Sequence, residues 1–269
     1  MKSMWIGGRT CEAASKGTRE VCDPASGAVL ETVPEGGREE VEAAVAAAAG
    51  AFPAWAGLPA NDRATLLHEV ATRMRDHQAT LIELLTREQG KPAPENEEEV
   101  EWSANTFDYY AELGRHEVGQ VLPPGSPSQF NFTLKEPYGV VACITPWNYP
   151  IMLLAWKIAP ALAAGNTCVI KPSELTPLAS LHLVEHCLSH LPPGVVNIIT
   201  GTGADVGDPL IAHPDVEVVA FTGSLATGQH IASVAAPQMK KLHLELGGKD
   251  PMVISEDAEP EKAARALAY

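Results

Sequence analysis

Four short segments hold the residue types that could do chemistry. They are Thr145-Pro146-Trp147-Asn148-Tyr149-Pro150, Lys171-Pro172-Ser173-Glu174, Phe221-Thr222-Gly223-Ser224 and Leu244-Glu245-Leu246-Gly247-Gly248-Lys249. Asn148 stands between two aromatics and two prolines, a setting that fixes a turn. A side-chain amide held that way can donate to a developing oxyanion, or it can be an ordinary turn asparagine. Glu245 beside Gly247-Gly248 reads as a carboxylate in an apolar context. That makes it a candidate general base with a raised pKa, or the partner of Lys249 in an ion pair. Lys171 and Glu174 could each bind a ribose hydroxyl, or they could pair with each other at the surface. Gly223-Ser224, where a strand turns into a helix, offers N–H groups and a hydroxyl suited to phosphate. The run Gly201-Thr202-Gly203-Ala204-Asp205-Val206-Gly207 also suits phosphate. Its spacing is G-x-G-x-x-x-G rather than the dinucleotide G-x-G-x-x-G, so alone it is equally a glycine-rich turn.

Other reactive side chains have plainer readings. His182, His186 and His190 fall at i, i+4 and i+8 of one expected helix, but no acidic third ligand has matching spacing. A plain helix face is preferred to zinc, and no metal is expected. Glu97, Glu98, Glu99 and Glu101 read as a solvated helix start favoured by the macrodipole. Cys143 and Cys168 lie within strands and read as core residues rather than nucleophiles.

Each of the four segments follows an apolar run expected to be a buried strand: Val140–Ile144, Thr167–Ile170, Val218–Phe221 and Lys241–Leu244. Helical stretches lie between them, including Pro177–Leu191, Ala204–Ala212 and Ser224–Ala235. This alternation predicts an α/β fold: a Rossmann-like parallel sheet with flanking helices, whose ligands bind at the carboxyl ends of the strands. Upstream, residues 3–34 read as a meander with a turn at Asp23-Pro24-Ala25-Ser26-Gly27. Helices follow over about 38–52, from Asn61-Asp62 with a break near His77, and over 95–113. Gly90-Lys91-Pro92 stops the second helical region. Gln129–Leu134 alternates like an exposed strand and is the candidate oligomer contact, or it is a simple edge hairpin. Met252–Ile254 reads as a strand and Ala258–Tyr269 as a helix. The chain divides into residues 1–117, a helical part of a cofactor-binding domain, 118–138, a hairpin linker, and 139–269, a Rossmann-like region.

Composition narrows the function. A net charge of −15 over 269 residues argues against a nucleic-acid or anionic-membrane partner. No apolar run is long enough to span a bilayer, and the first eight residues show no signal-peptide pattern. Five cysteines without metal-ligand spacing are expected as free thiols in the cytoplasm.

The four segments together, in this order and at these spacings, resemble the NAD(P)-dependent aldehyde dehydrogenase superfamily. The LELGGKDP stretch matches its glutamate signature residue by residue. The resemblance implies Asn148 as the oxyanion-hole amide and Glu245 as general base. It implies Lys171 and Glu174 at the adenosine ribose, Gly223 and Ser224 at the pyrophosphate, and Ile144, Thr145, Pro146 and Trp147 along the cofactor cleft. Ser173, Gly203, Gly207, Phe221, Thr222 and Thr227 complete the implied cofactor set. NAD is expected rather than NADP, because Glu174 would repel a 2′-phosphate. The family reaction oxidises an aldehyde to the acid through a cysteine thiohemiacetal and thioester. That cysteine lies beyond the glutamate signature in the family, and no cysteine follows Cys187 here. The 269-residue chain is therefore expected to hold the cofactor half, to be inactive alone, and to form a homo-oligomer when full length. Within the superfamily, Trp147-Asn148-Tyr149-Pro150 with Trp156-Lys157, and Val206–Leu210 with Ala226-Thr227-Gly228, look most like the aminoaldehyde branch. The competing reading is a non-catalytic NAD-binding or interaction module.

Overall fold

The computed structural model describes residues 2–268. The first 34 residues do not form one meander; they divide between two sheets. β1 (Met4–Ile6) and β2 (Arg9–Cys11) add antiparallel to the edge of the main sheet. β3 (Thr18–Cys22) and β4 (Val29–Pro34) form a separate hairpin. The expected turn between them is there, with the Asp23 carboxylate accepting from the Ala25 and Ser26 N–H groups.

Four helices follow: α1 (Arg38–Ala56), α2 (Ala60–Asp76), α3 (Gln78–Gln89) and α4 (Ala93–Arg115). α2 and α3 meet at His77, and Pro59 rather than Asn61 precedes α2. Gly90 closes α3 at φ +87°, a left-handed conformation that glycine takes without steric cost. The hairpin of β5 (Val121–Leu122) and β6 (Asn131–Phe132) is shorter than the alternation over 129–134 suggested, and its residues are exposed.

The β/α alternation then begins: β7 (Val140–Ile144), α5 (Met152–Ala163), β8 (Thr167–Lys171), α6 (Leu178–His182), β9 (Val196–Ile198), α7 (Asp208–Ala212), β10 (Val216–Gly223), α8 (Leu225–Ala235), β11 (Lys241–Leu246) and α9 (Pro260–Ala268). The main sheet has the order β11-β10-β7-β8-β9-β1-β2, parallel from β11 to β9. The chain moves outward from β7 through β8 to β9, then returns to the other side of β7. The switch point between β7 and β10 opens a crevice at their carboxyl ends.

Alternate strand residues feed the two faces of the sheet. Val141 and Cys143 join a core with Leu67, Phe107 and Ile158 from α2, α4 and α5. Ala142 and Ile144 join a core with Val45, Leu210 and Ile231 from α1, α7 and α8. Each fully buried side chain of this size contributes about 1.5–3 kcal/mol. Cys143 and Cys168 are completely buried in these layers.

Three expectations about regular structure need correction. The run Pro177–Leu191 is helical only in part as an α-helix: after α6 it widens into a π-helical segment over Leu183–Leu188. The wider turn breaks the i, i+4, i+8 alignment. His190 turns to the Leu66 carbonyl, while His182 and His186 cluster with His77. Lys241–Leu244 is not a buried strand. β11 is the sheet's edge, with one neighbour and mostly exposed side chains. Met252–Ile254 is irregular and exposed. α9 forms where a helix was expected and buries none of its residues, and Tyr269 lies outside the described residues.

Candidate functional site

The carboxyl ends of β7, β8 and β10 converge on one cleft of about 590 Å³. Ile144, Thr145, Pro146 and Trp147 line it from the end of β7; Lys171, Ser173 and Glu174 line it from β8. Phe221, Thr222, Gly223, Ser224 and Thr227 come from β10 and α8, and Gly203 and Gly207 from the π-helical turn over Gly203–Gly207. All fourteen candidate cofactor residues therefore share one cleft. Sequence reasoning gave no role here to Leu175, Ala204, Asp208, Ile211, His230 and Ile231, which complete its wall. His230 Nε2 lies 2.8 Å from Asp208 Oδ1, a pairing between α8 and α7 that spacing along the chain does not reveal.

The local chemistry fits a nucleotide. Ser224 is the N-cap of α8: its Oγ accepts from the Thr227 N–H at 3.2 Å. The other first-turn N–H groups have no partner within a helix, so the positive helix end suits an anion. Gly223 keeps the approach bare; a Cβ there would come within 2.4 Å of the Phe221 ring. Lys171 is buried and sits 3.4 Å from Glu174, whose side chain is 40% exposed. Burial pushes the Lys171 ammonium below its usual pKa range, and the Glu174 carboxylate opposes that shift. Thr145 Oγ1 is buried with no hydrogen-bond partner among the described residues, a polar atom left over for a ligand.

A second, wider cleft of about 890 Å³ lies on the α4 and α5 side. Asn148 and Glu245, the two candidate catalytic residues, both line it, so the fold brings them together across β7, β10 and β11. Thr222 borders both clefts. The apolar enclosure expected around Glu245 is not there. Its side chain is 61% exposed, because β11 is an edge strand, and its carboxylate lies 3.3 Å from His243 Nε2 rather than paired with Lys249. Lys157 also lines this cleft, and the sequence reading gave it no role in the site. It is buried in α5, donating to the Leu153 carbonyl at 3.2 Å and to Thr222 Oγ1 at 2.5 Å. Burial lowers its pKa, partly offset by Cys143 and Glu245. A lone lysine inside the otherwise apolar helix Met152–Ala163 was the available signal. Trp102 and Tyr109 from α4, with Tyr149 and Trp156, give the cleft aromatic walls. No group of three or more His, Cys, Asp or Glu among the described residues could hold a metal ion.

Comparison with known proteins gives a consistent answer. The chain is 42% identical over 271 residues to betaine aldehyde dehydrogenase 1 of Oryza sativa subsp. japonica, across 97% of this chain and 54% of that protein. It is 39% identical over 261 residues to the mitochondrial succinate-semialdehyde dehydrogenase of Arabidopsis thaliana, across 97% and 49%. Its structure superposes with a TM-score of 0.95 on betaine aldehyde dehydrogenase from Staphylococcus aureus in complex with NAD+, at 38% identity over 98% of this chain and 53% of that one. An NADP-dependent enzyme of E. coli superposes with a TM-score of 0.97 at 39% identity, over 99% and 56%. The chain thus spans about half the length of the relatives it matches. The family profile covers residues 11–269, and on these grounds the chain belongs to the aldehyde dehydrogenase family.

Proposed function

We propose that this chain supplies the cofactor site, the oxyanion donor and the general base of an NAD-dependent aldehyde dehydrogenase. The observation that carries the reading is two neighbouring clefts that share Thr222: one lined by all the candidate cofactor residues, the other by Asn148 and Glu245. Lys171 and Glu174 would hold the adenosine ribose, and the Ser224 end of α8 the pyrophosphate. Glu174 favours NAD over NADP, since its carboxylate would face a 2′-phosphate. NAD, when bound, supplies the hydride acceptor.

The protein's own groups then divide the work. The Asn148 amide donates to the aldehyde oxygen as it gains charge under attack by a thiolate. No cysteine follows Cys187; Cys143, Cys168 and Cys187 are buried, and neither Cys11 nor Cys22 lines either cleft. The thiol in this reading therefore comes from residues outside this sequence. Glu245 takes a proton from the water that hydrolyses the thioester. In balance, aldehyde, NAD+ and water give the acid, NADH and a proton. The aromatic walls of the wider cleft suit a cationic aminoaldehyde through cation–π contact. The exposed hairpin, with Val121, Phe130, Phe132 and Leu134 uncovered, would pair subunits in a homo-oligomer.

The test is NADH formation from 4-aminobutyraldehyde by the complete enzyme and its Glu245→Gln variant. The reading expects the variant to lose about 10²–10⁴-fold in kcat with its NAD affinity kept. A variant with unchanged kcat would remove Glu245 from the reaction.

A further inference from the structure

We propose that Lys91 and Glu99 are a buried positioning pair that sets the Asn148 turn. The proposal rests on the reading of Asn148 as the oxyanion donor. Glu99 belongs to the acidic run expected to face solvent, yet it is completely buried. One carboxylate oxygen accepts from the N–H groups of Ile151 and Met152, at 3.0 and 3.2 Å. These sit three and four residues beyond Asn148, where α5 begins. The other oxygen holds the Lys91 ammonium. Lys91 in turn lies 3.4 Å from the Asn148 carbonyl and 3.8 Å from the centre of the Tyr149 ring. Gln89, at the end of α3, donates to the same carbonyl at 3.2 Å. The Asn148 backbone is thus held on both sides by groups from outside its own turn: its carbonyl by α3 and Lys91, and the residues that follow it by α4.

Stability alone does not account for this pair. Burying two charges costs desolvation that their attraction barely repays, and a well-packed apolar pair would do as well. What the ions do that apolar groups would not is fix backbone atoms. A donor to a developing oxyanion must be held to about 0.5 Å, and a 1 Å displacement costs on the order of 100-fold in rate. Lys91 and Glu99 touch no reacting atom in this reading. They act through Asn148.

The experiment is a cycle in the complete enzyme. The paired variant Lys91→Met with Glu99→Gln is made in the native and Asn148→Ala backgrounds. It leaves no uncompensated buried charge. Melting temperature, kcat and KM for NAD are measured on all four proteins. The expected result is a loss of about 10–100-fold in kcat, with KM for NAD unchanged, that disappears in the Asn148→Ala background. An unchanged kcat, or an equal loss in both backgrounds, overturns the positioning role. If Asn148→Ala alone leaves kcat unchanged, the oxyanion reading has failed and the pair's role fails with it. If Asn148→Ala costs about 100-fold or more while the paired variant costs nothing, only the positioning role fails. Should the paired variant not fold, Gln89→Ala removes the second donor to the same carbonyl. A loss of about threefold or more, absent in the Asn148→Ala background, supports the role; no loss overturns it.

Discussion

The two clefts share Thr222 but are built differently. The narrower cleft, proposed for the cofactor, stands on β7 and β8, in which every residue is buried, and on helices packed into both core layers. The wider cleft, proposed for catalysis, has the same support on its α4 and α5 side, but its far wall is β11, an edge strand with mostly exposed side chains. Beyond β11 the chain runs exposed to α9, which buries nothing. The difference separates the two kinds of residue in the site. The cleft residues at the ends of β7 and β8 take their positions from strands paired on both sides. Glu245 takes its position from a backbone ladder on one side only.

This contrast should appear first in stability. Ile170, completely buried in β8, should lose about 2–5 kcal/mol on substitution to Ala. Leu246 in β11, 38% exposed, should lose under about 1 kcal/mol. Denaturant unfolding of the two variants compares the walls directly, and equal losses would erase the distinction.

A smaller effect sharpens it through pH. Glu88 ends α3 fully buried and accepts from the N–H groups of Leu178 and Ala179, just beyond the β8 loop. Burial raises its pKa to about 8 against those two hydrogen bonds. The folded chain then holds a proton up to about pH 8 that the unfolded chain releases above about 4.5. Stability from this group is fully present below the lower value and falls as pH rises to the upper one. Glu88→Gln should flatten that part of the stability profile. A profile identical to native would show that Glu88 is ionised in the fold and held by its hydrogen bonds.

Much of the site was legible because its residues cluster next to strand ends, and strand ends in a parallel sheet point to one place. The apolar runs before Thr145, Lys171 and Gly223 carried that information. Three features were not legible, each because tertiary contact decided it. Glu99 looks like its neighbours Glu97 and Glu98 in the sequence, and only the arrival of Lys91 and the start of α5 bury it. Lys241–Leu246 alternates as well as any core strand, and its edge position follows from strand order rather than composition. The His182, His186 and His190 spacing assumes 3.6 residues per turn, and the π-helical segment removes that assumption.

The most direct measurement is calorimetric titration of the 269-residue chain with NAD+ and with NADP+, repeated on Lys171→Met. The cofactor cleft as described predicts binding of NAD+ that is weak but saturable, weaker binding of NADP+, and a loss of about 10-fold or more for NAD+ in the variant. Equal affinity of the native chain and Lys171→Met for NAD+ would contradict the placement of the nucleotide at the ends of β7, β8 and β10.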